Sequence, residues 1–319
     1  MVPVSRFPFT KEGVPIMKPD LPVWRSLMYV PVNVEKYVDK AHTRGADVIQ
    51  LDLEDSVPPA EKDRARTLVE QAAARVKKGG ADVIVRINRP LSMTVRDLEH
   101  SICPDVNGIA VTKADSASHV KLLDELVTEL EIKRGMTVGH TKFITMIETP
   151  DAFGRIDEIP RASARVVAMN IGGEDFALEC DMQPEDDVLL HPKQRMIIAA
   201  RAAGVMPLGF IGTVASFGDW EKFRQMVRRS RRFGFDGAGC IHPGQVTIVN
   251  EEYSPNHEEV VFAKKIIELD KEAAASGRGS FAFEGKMIDI PIIVRAQKLL
   301  ARHEAIKKRE AKTLAAMKG

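Results

Sequence analysis

Short apolar runs alternate with helix-compatible stretches along most of the chain, and this alternation constrains the fold more than any other feature. The runs are SLMYVP (26–31), VIQLDLED (48–55), ADVIVRIN (81–88), GIAVTK (108–113), KFITMIET (142–149), VVAMNIGG (166–173), MPLGFIG (206–212) and GAGCIHP (237–243). Between them lie segments such as EKYVDKAHTRG, AEKDRARTLVEQAAARVKKG, HVKLLDELVTELEIKRG and DWEKFRQMVRRSRRFG. The runs are rich in β-branched residues and apolar on both faces, as parallel strands covered by helices must be. Eight such units in about 225 residues predict a TIM-type (β/α)₈ barrel, an α/β fold that typically needs ~250. The alternative is a doubly wound open sheet, which usually has fewer strands and a Gly-rich phosphate turn after the first. Here the first run ends in YVPVNVEK, without such a turn. The barrel is preferred.

The chain changes character after Pro243. Residues 257–277 read as one helix, GRGSFAFEGKMIDIP as a glycine-containing connector, and 292–317 as a charged helix. The expected organisation is an extended, proline-rich N-terminal arm (1–24), the barrel (25–250) and a C-terminal helical extension (251–319). The extension would serve as a lid or as an oligomerisation arm for a neighbouring subunit. The run RRSRR (228–232) reads as the solvated face of a helix.

Composition narrows the class. Hydrophobic residues make up 44% and charged residues 29%, with a formal net charge of +1. No global field draws the chain to nucleic acid or to an anionic membrane. No apolar run approaches the ~20 residues that span a bilayer, and the N-terminus lacks a signal-peptide apolar segment. Cys103, Cys180 and Cys240 are odd in number and lack metal-ligand spacing, which predicts unpaired thiols and a cytoplasmic protein.

In a barrel, the C-terminal ends of the strands share one mouth, where barrel enzymes place their chemistry. Reading those ends collects Asp52, Glu54 and Asp55; Arg86 and Asn88; Lys113; Glu148; Glu174 and Asp175; and His242. Any one acid alone has a bland explanation as a helix cap or a lysine's partner, and Arg86 as their counter-ion. His242, in an apolar turn before Pro243, reads as a hydrogen-bonded core histidine. The convergence of so many charges is harder to explain structurally. Glu148 and Asp175 end adjacent strands without histidine or cysteine support, a donor set that suits Mg²⁺, with Mn²⁺ as a substitute. An acid–base pair is the alternative use of the same carboxylates. Gly172 and Gly173, with Glu174 beside them, would let backbone N–H groups approach a substrate carboxylate. Arg86 and the metal together could stabilise an enolate-like oxygen.

These motifs resemble the HpcH/HpaI aldolase and citrate lyase β-subunit family. RSLMYVP, LDLEDSV, VRIN, MIETP, GGEDF, IHPGQV and GKMIDIP occur in the family's order over roughly residues 25–300. The resemblance is to its CoA-ester lyases, those for malyl-CoA, citramalyl-CoA and citryl-CoA. It implies a Mg²⁺-dependent barrel that cleaves a 3-hydroxyacyl-CoA carrying a second carboxylate into acetyl-CoA and a small 2-oxo acid. By the same resemblance, Glu148 and Asp175 bind the metal and Arg86 contacts the substrate and its thioester oxygen. Asp289, on a tail that covers a neighbour's site, takes part in proton transfer. Glu54 and Asp55 surround the arginine and the metal's water, and Arg25 opens the first strand on the CoA side or the mouth. A homo-oligomer, trimer or hexamer, is implied. The chain departs from the family pattern at Val32, where glycine is common, at Thr112 before Lys113, and in GTVASFGD (212–219). A thioesterase, a free 2-oxo-acid aldolase, a citrate lyase β subunit acting on an acyl-carrier protein, and a CoA-binding scaffold are the competing readings.

Overall fold

A computed structural model describes residues 21–212, 218–276 and 280–318. Eight parallel strands follow the apolar runs: β1 (Ser26–Pro31), β2 (Val48–Asp52), β3 (Asp82–Ile87), β4 (Gly108–Val111), β5 (Lys142–Ile147), β6 (Val166–Ile171), β7 (Met206–Pro207) and β8 (Ala238–Cys240). Their order is β7-β6-β5-β4-β3-β2-β1-β8. The sheet closes through a parallel bridge between Leu208 and Gly237, where the Gly209 N–H donates to Gly237 O at 2.8 Å. A Cβ on Gly237 would collide with the Trp24 carbonyl, so the seam needs glycine. The (β/α)₈ barrel is therefore the fold, and the open sheet is not.

Period-two alternation sorts each strand between two cores. Leu27, Val48, Ile84, Ala110, Ile144 and Met206 fill the lumen together with Trp24. Ile49, Leu51, Val83, Val85, Ile109 and Phe143 face outward, in one cluster with helical Val69, Ala73, Leu98, Leu123 and Val127. Apolar on both faces, as expected, thus means two separate packing environments.

The C-terminal extension departs from expectation. The connector is partly an antiparallel hairpin, β9 (Phe281–Phe283) with β10 (Lys286–Ile288), turning at Glu284 and Gly285, both at positive φ. The hairpin packs between the helices His257–Ala275 and Ile290–Lys318 in a small core of Ala263, Ile266, Ile288, Ile293 and Ala296. The distal half of the last helix seals the floor of its own barrel rather than covering its mouth. Arg309 Nη1 donates to Asp82 Oδ2 at 2.8 Å, and Glu310 pairs with Arg25 at 2.7 Å. Asp82 begins β3 and Arg25 precedes β1, so both lie at the N-terminal end of the barrel.

That placement corrects the assignment of Arg25 to the mouth or the CoA side. Its guanidinium is buried and engaged by Asp47, Ser254 and Glu310. A residue preceding a parallel strand lies at the opposite rim from the residues that follow it. The proposed N-terminal arm falls mostly on residues 1–20, outside those described. Among the described residues no helix is long and apolar enough to cross a membrane.

Candidate active site

The inward face of each strand turns polar at its C-terminal end. Along β2 the lumen residues run Val48, Gln50, Asp52; along β3, Ile84 then Arg86; along β5, Ile144, Met146 and then Glu148. The β2–β3 register sets Asp52 opposite Arg86. Arg86 Nε donates to Asp52 Oδ1 and Nη2 to Oδ2, each at 2.7 Å. Nη1 reaches Glu54 Oε2 at 2.7 Å and Asp55 Oδ2 at 3.1 Å. The guanidinium lies over the Tyr29 ring, 5.1 Å from its centroid. Burial opposes its charge, but the Asp52 hydrogen bonds and charge, with Tyr29 and Glu54 adding, hold its pKa above the ordinary value. Asp52, collected at the mouth from the sequence but given no role there, orients this arginine.

Glu148 and Asp175 converge on one residue, Lys113. The Lys113 N–H donates to Glu148 Oε2 at 2.7 Å, and its Nζ to Asp175 Oδ1 at 2.9 Å. Thr149 caps the short helix Pro150–Gly154, which ends the strand just past Glu148. Gly172 lies beneath that side chain: a Cβ there would come within 2.7 Å of Glu148 Cγ and collide with Oε1. Burial pushes the Glu148 carboxyl up to about 7, with the Lys113 N–H working against the shift and the Asp175 charge adding to it. Burial likewise pushes Glu54 up to about 8; Arg86 opposes, and Asp55 and Glu148 reinforce. The site thus holds two buried carboxyls whose negative charge is disfavoured by desolvation.

These groups open into a chamber of about 940 Å³ that extends from Arg86, Glu148 and Asp175 to Tyr37 and Lys40 on one side and Phe210 and Phe235 on the other. Gly173 and Glu174 line it. The expectation that Gly172 offers its N–H to substrate does not hold, because that N–H continues the sheet by donating to Ile147 O at 3.1 Å. His242 is not a core histidine. It is exposed at the rim, where its Nδ1 accepts from the Gly244 N–H at 3.0 Å and its ring lies 5.6 Å from that of Trp220. Asn88 is a scaffold residue whose Nδ2 donates to Leu53 O and Asp97 Oδ2.

Asp289 does not line this chain's chamber. It is exposed, and its carbonyl accepts from the N–H groups of Ile292 and Ile293. Arg228 and Arg231 pair with Glu252 and Glu259, in keeping with an outward helix face. All three cysteines are free. Lys193 was not foreseen: buried on the chamber wall, it donates to Ile211 O at 2.7 Å and Gly212 O at 2.9 Å. It sits within the helix Leu190–Ala203, where no strand-end signal marks it. Residues 213–217 of GTVASFGD lie outside those described.

Among the described residues no group of three His, Cys, Asp or Glu side chains could hold a metal. The Glu148 and Asp175 carboxylates nevertheless fit Mg²⁺, which is commonly held by one or two carboxylates with the remaining oxygens from water and substrate. Glu148 meets the Lys113 backbone N–H and Asp175 the Lys113 ammonium, and the Asp175 charge adds to the burial that raises Glu148, so positive charge is favoured at this point.

The family described as HpcH/HpaI aldolase/citrate lyase matches residues 25–243. Citrate lyase subunit beta of Leuconostoc mesenteroides subsp. cremoris is 32% identical over 279 residues, covering 86% of this chain and 92% of that protein. L-malyl-CoA/beta-methylmalyl-CoA lyase of Cereibacter sphaeroides is 31% identical over 305 residues, with coverages of 88% and 95%. Among solved structures, protein CitE from Mycobacterium tuberculosis in complex with magnesium, acetoacetate and coenzyme A superposes with a TM-score of 0.67. It is 28% identical and covers 88% of this chain and 97% of its own.

Proposed function

The chain belongs to the HpcH/HpaI aldolase/citrate lyase family and is a lyase, and on that premise we propose that it cleaves a CoA thioester at a carbon–carbon bond with Mg²⁺. The substrate class is a 3-hydroxydicarboxylyl-CoA such as malyl-, citramalyl- or citryl-CoA. The products are acetyl-CoA and a 2-oxo acid. The observation that carries this reading is that the Arg86 guanidinium and the Glu148–Asp175 pair open into one chamber large enough for an extended thioester. Glu148 and Asp175 would hold Mg²⁺, which would supply Lewis-acid positive charge to the oxo-acid half of the substrate. Arg86, rigidly aimed by Asp52, stabilises the thioester oxygen as it gains negative charge.

The balance is simple. The substrate hydroxyl loses its proton and becomes the carbonyl of the 2-oxo acid. The adjacent C–C bond breaks, its electron pair passes to the thioester enolate, and a proton returns to that carbon. Glu54 and Asp55 hold the third edge of Arg86. Asp289 from a neighbouring copy in a trimer or hexamer would deliver the proton. Its exposure on this chain leaves it free to do so.

Incubating the purified protein with malyl-, citramalyl- and citryl-CoA, with and without Mg²⁺, and identifying products by mass spectrometry tests the assignment. Acetyl-CoA plus a 2-oxo acid is expected, and only with the metal. An intact carbon skeleton with free CoA would instead show a thioesterase. A second reading, a citrate lyase β subunit working on an acyl-carrier protein, is supported by the Leuconostoc relative, which is as similar as the malyl-CoA lyase. Cleavage of a carrier-bound citryl group, with none of free CoA esters, would favour it.

A further inference from the structure

Lys113 follows Thr112 past the end of β4 with φ at +45°, a left-handed conformation that L side chains rarely adopt. Its surroundings hold it there on both sides. Its N–H donates to Glu148 Oε2, Arg89 Nε donates to its carbonyl at 3.2 Å, and the Ala114 N–H returns the chain to β5 by donating to Met146 O at 3.0 Å. In this turn the backbone N–H meets one of the two candidate metal ligands and the ammonium meets the other. Backbone strain concentrated at such a point commonly belongs to a site's mechanism. The Lys113 side chain is 30% exposed, so its ammonium can leave Asp175 and stay hydrated by solvent.

We propose that Lys113 is a positioning residue with two opposed effects on cation binding. Its backbone fixes Glu148 in the liganding orientation, and its ammonium competes with the divalent ion for Asp175. Cation affinity is thereby held down, and the ion exchanges readily. The inference rests on the metal reading above, and its test separates the two.

Mn²⁺ affinity of the full chain, read from the free-ion EPR signal, is compared for wild type, Lys113→Met, Lys113→Gly and Lys113→Arg. Glycine suits the positive φ and keeps the N–H to Glu148. Removing one adjacent positive charge is expected to tighten Mn²⁺ binding about tenfold in Lys113→Met and Lys113→Gly, whereas Lys113→Arg, which keeps the charge, stays near wild type. A structural counter-ion would give the opposite, weaker binding once it is lost. If both neutral variants bind no tighter than wild type while Asp175→Asn abolishes binding, the role of Lys113 is overturned and the metal site stands. If the wild type itself gives no bound Mn²⁺, the metal reading fails and this proposal with it.

Discussion

Arg86 and Asp52 face each other across β3 and β2 and share two parallel hydrogen bonds of 2.7 Å. Asp52 is 1% exposed, and burial works against its charge, yet the Arg86 hydrogen bonds and charge hold its pKa below the usual carboxylate range. A bidentate pair of this kind leaves the guanidinium one orientation. The remaining edge of Arg86 is what the chamber and the acids Glu54 and Asp55 share.

Replacing Arg86 by lysine keeps the charge and loses the fork. An ammonium is a point charge without the planar fork, so it cannot be fixed in one orientation by Asp52 while presenting a separate edge to the thioester oxygen. Turnover of Arg86→Lys is expected to fall about 10²–10³-fold, the scale seen when one donor to a developing oxyanion is removed. Circular dichroism should be unchanged. A variant within a few-fold of wild-type kcat would remove Arg86 from the mechanism.

Gly172→Ala isolates the position of the Glu148 carboxylate. The backbone at Gly172, φ −74°, accepts alanine without strain, but the new methyl would press on Glu148. The expected outcome is a folded protein whose Mn²⁺ affinity and lyase activity are both at least about tenfold weaker, given the ~0.5 Å tolerance of such sites. Isothermal titration calorimetry checks the affinity. Wild-type binding would show that Glu148 is not where the ion sits.

Cation binding should depend on pH through Glu148, whose carboxyl is raised from 4.5 to about 7. Below 7 the folded protein holds a proton that the cation must expel. The apparent Kd for Mg²⁺ is therefore expected to rise about tenfold per unit as pH falls below 7, with about one proton released on binding. In the metal-free protein the same carboxyl links stability to pH. The protonated form stabilises the fold fully below 4.5, and this contribution is lost as pH rises through about 7. Calorimetry in buffers of different ionisation enthalpy counts the proton, and Glu148→Gln should abolish the release.

The floor is predicted to affect stability and not chemistry. Arg309 reaches Asp82 and the Asp47 carbonyl from the terminal helix. Arg309→Ala should cost roughly 2–3 kcal/mol, as for hydrogen bonds to a charged group, and leave kcat unchanged because the chamber lies at the other end of the barrel. Urea denaturation and steady-state assays separate the two effects.

Local pattern was enough for much of this protein. The alternation of apolar runs and helical stretches is a property of neighbours along the chain, and it set the number and places of the strands. Period two then dictated that Asp52, Arg86 and Glu148 continue the inward faces of their strands, so the mouth's contents were legible before any coordinate. What depended on distant residues was not. The reach of Lys113 to Asp175 spans 62 residues; it depends on a left-handed turn and on the stagger between neighbouring strands, and neither has a sequence signature in TKAD. Lys193 is one of many lysines on amphipathic helices until the β7 exit loop folds against it. Arg25 carries the same charge as Arg86, and only its place before the strand rather than after it sends it to the floor, where Asp47 and Glu310 neutralise it. Residue type and period determined which groups the chain could bring together. Register, burial and the path of the last helix decided which of them meet, because those follow from packing in three dimensions and not from spacing along one.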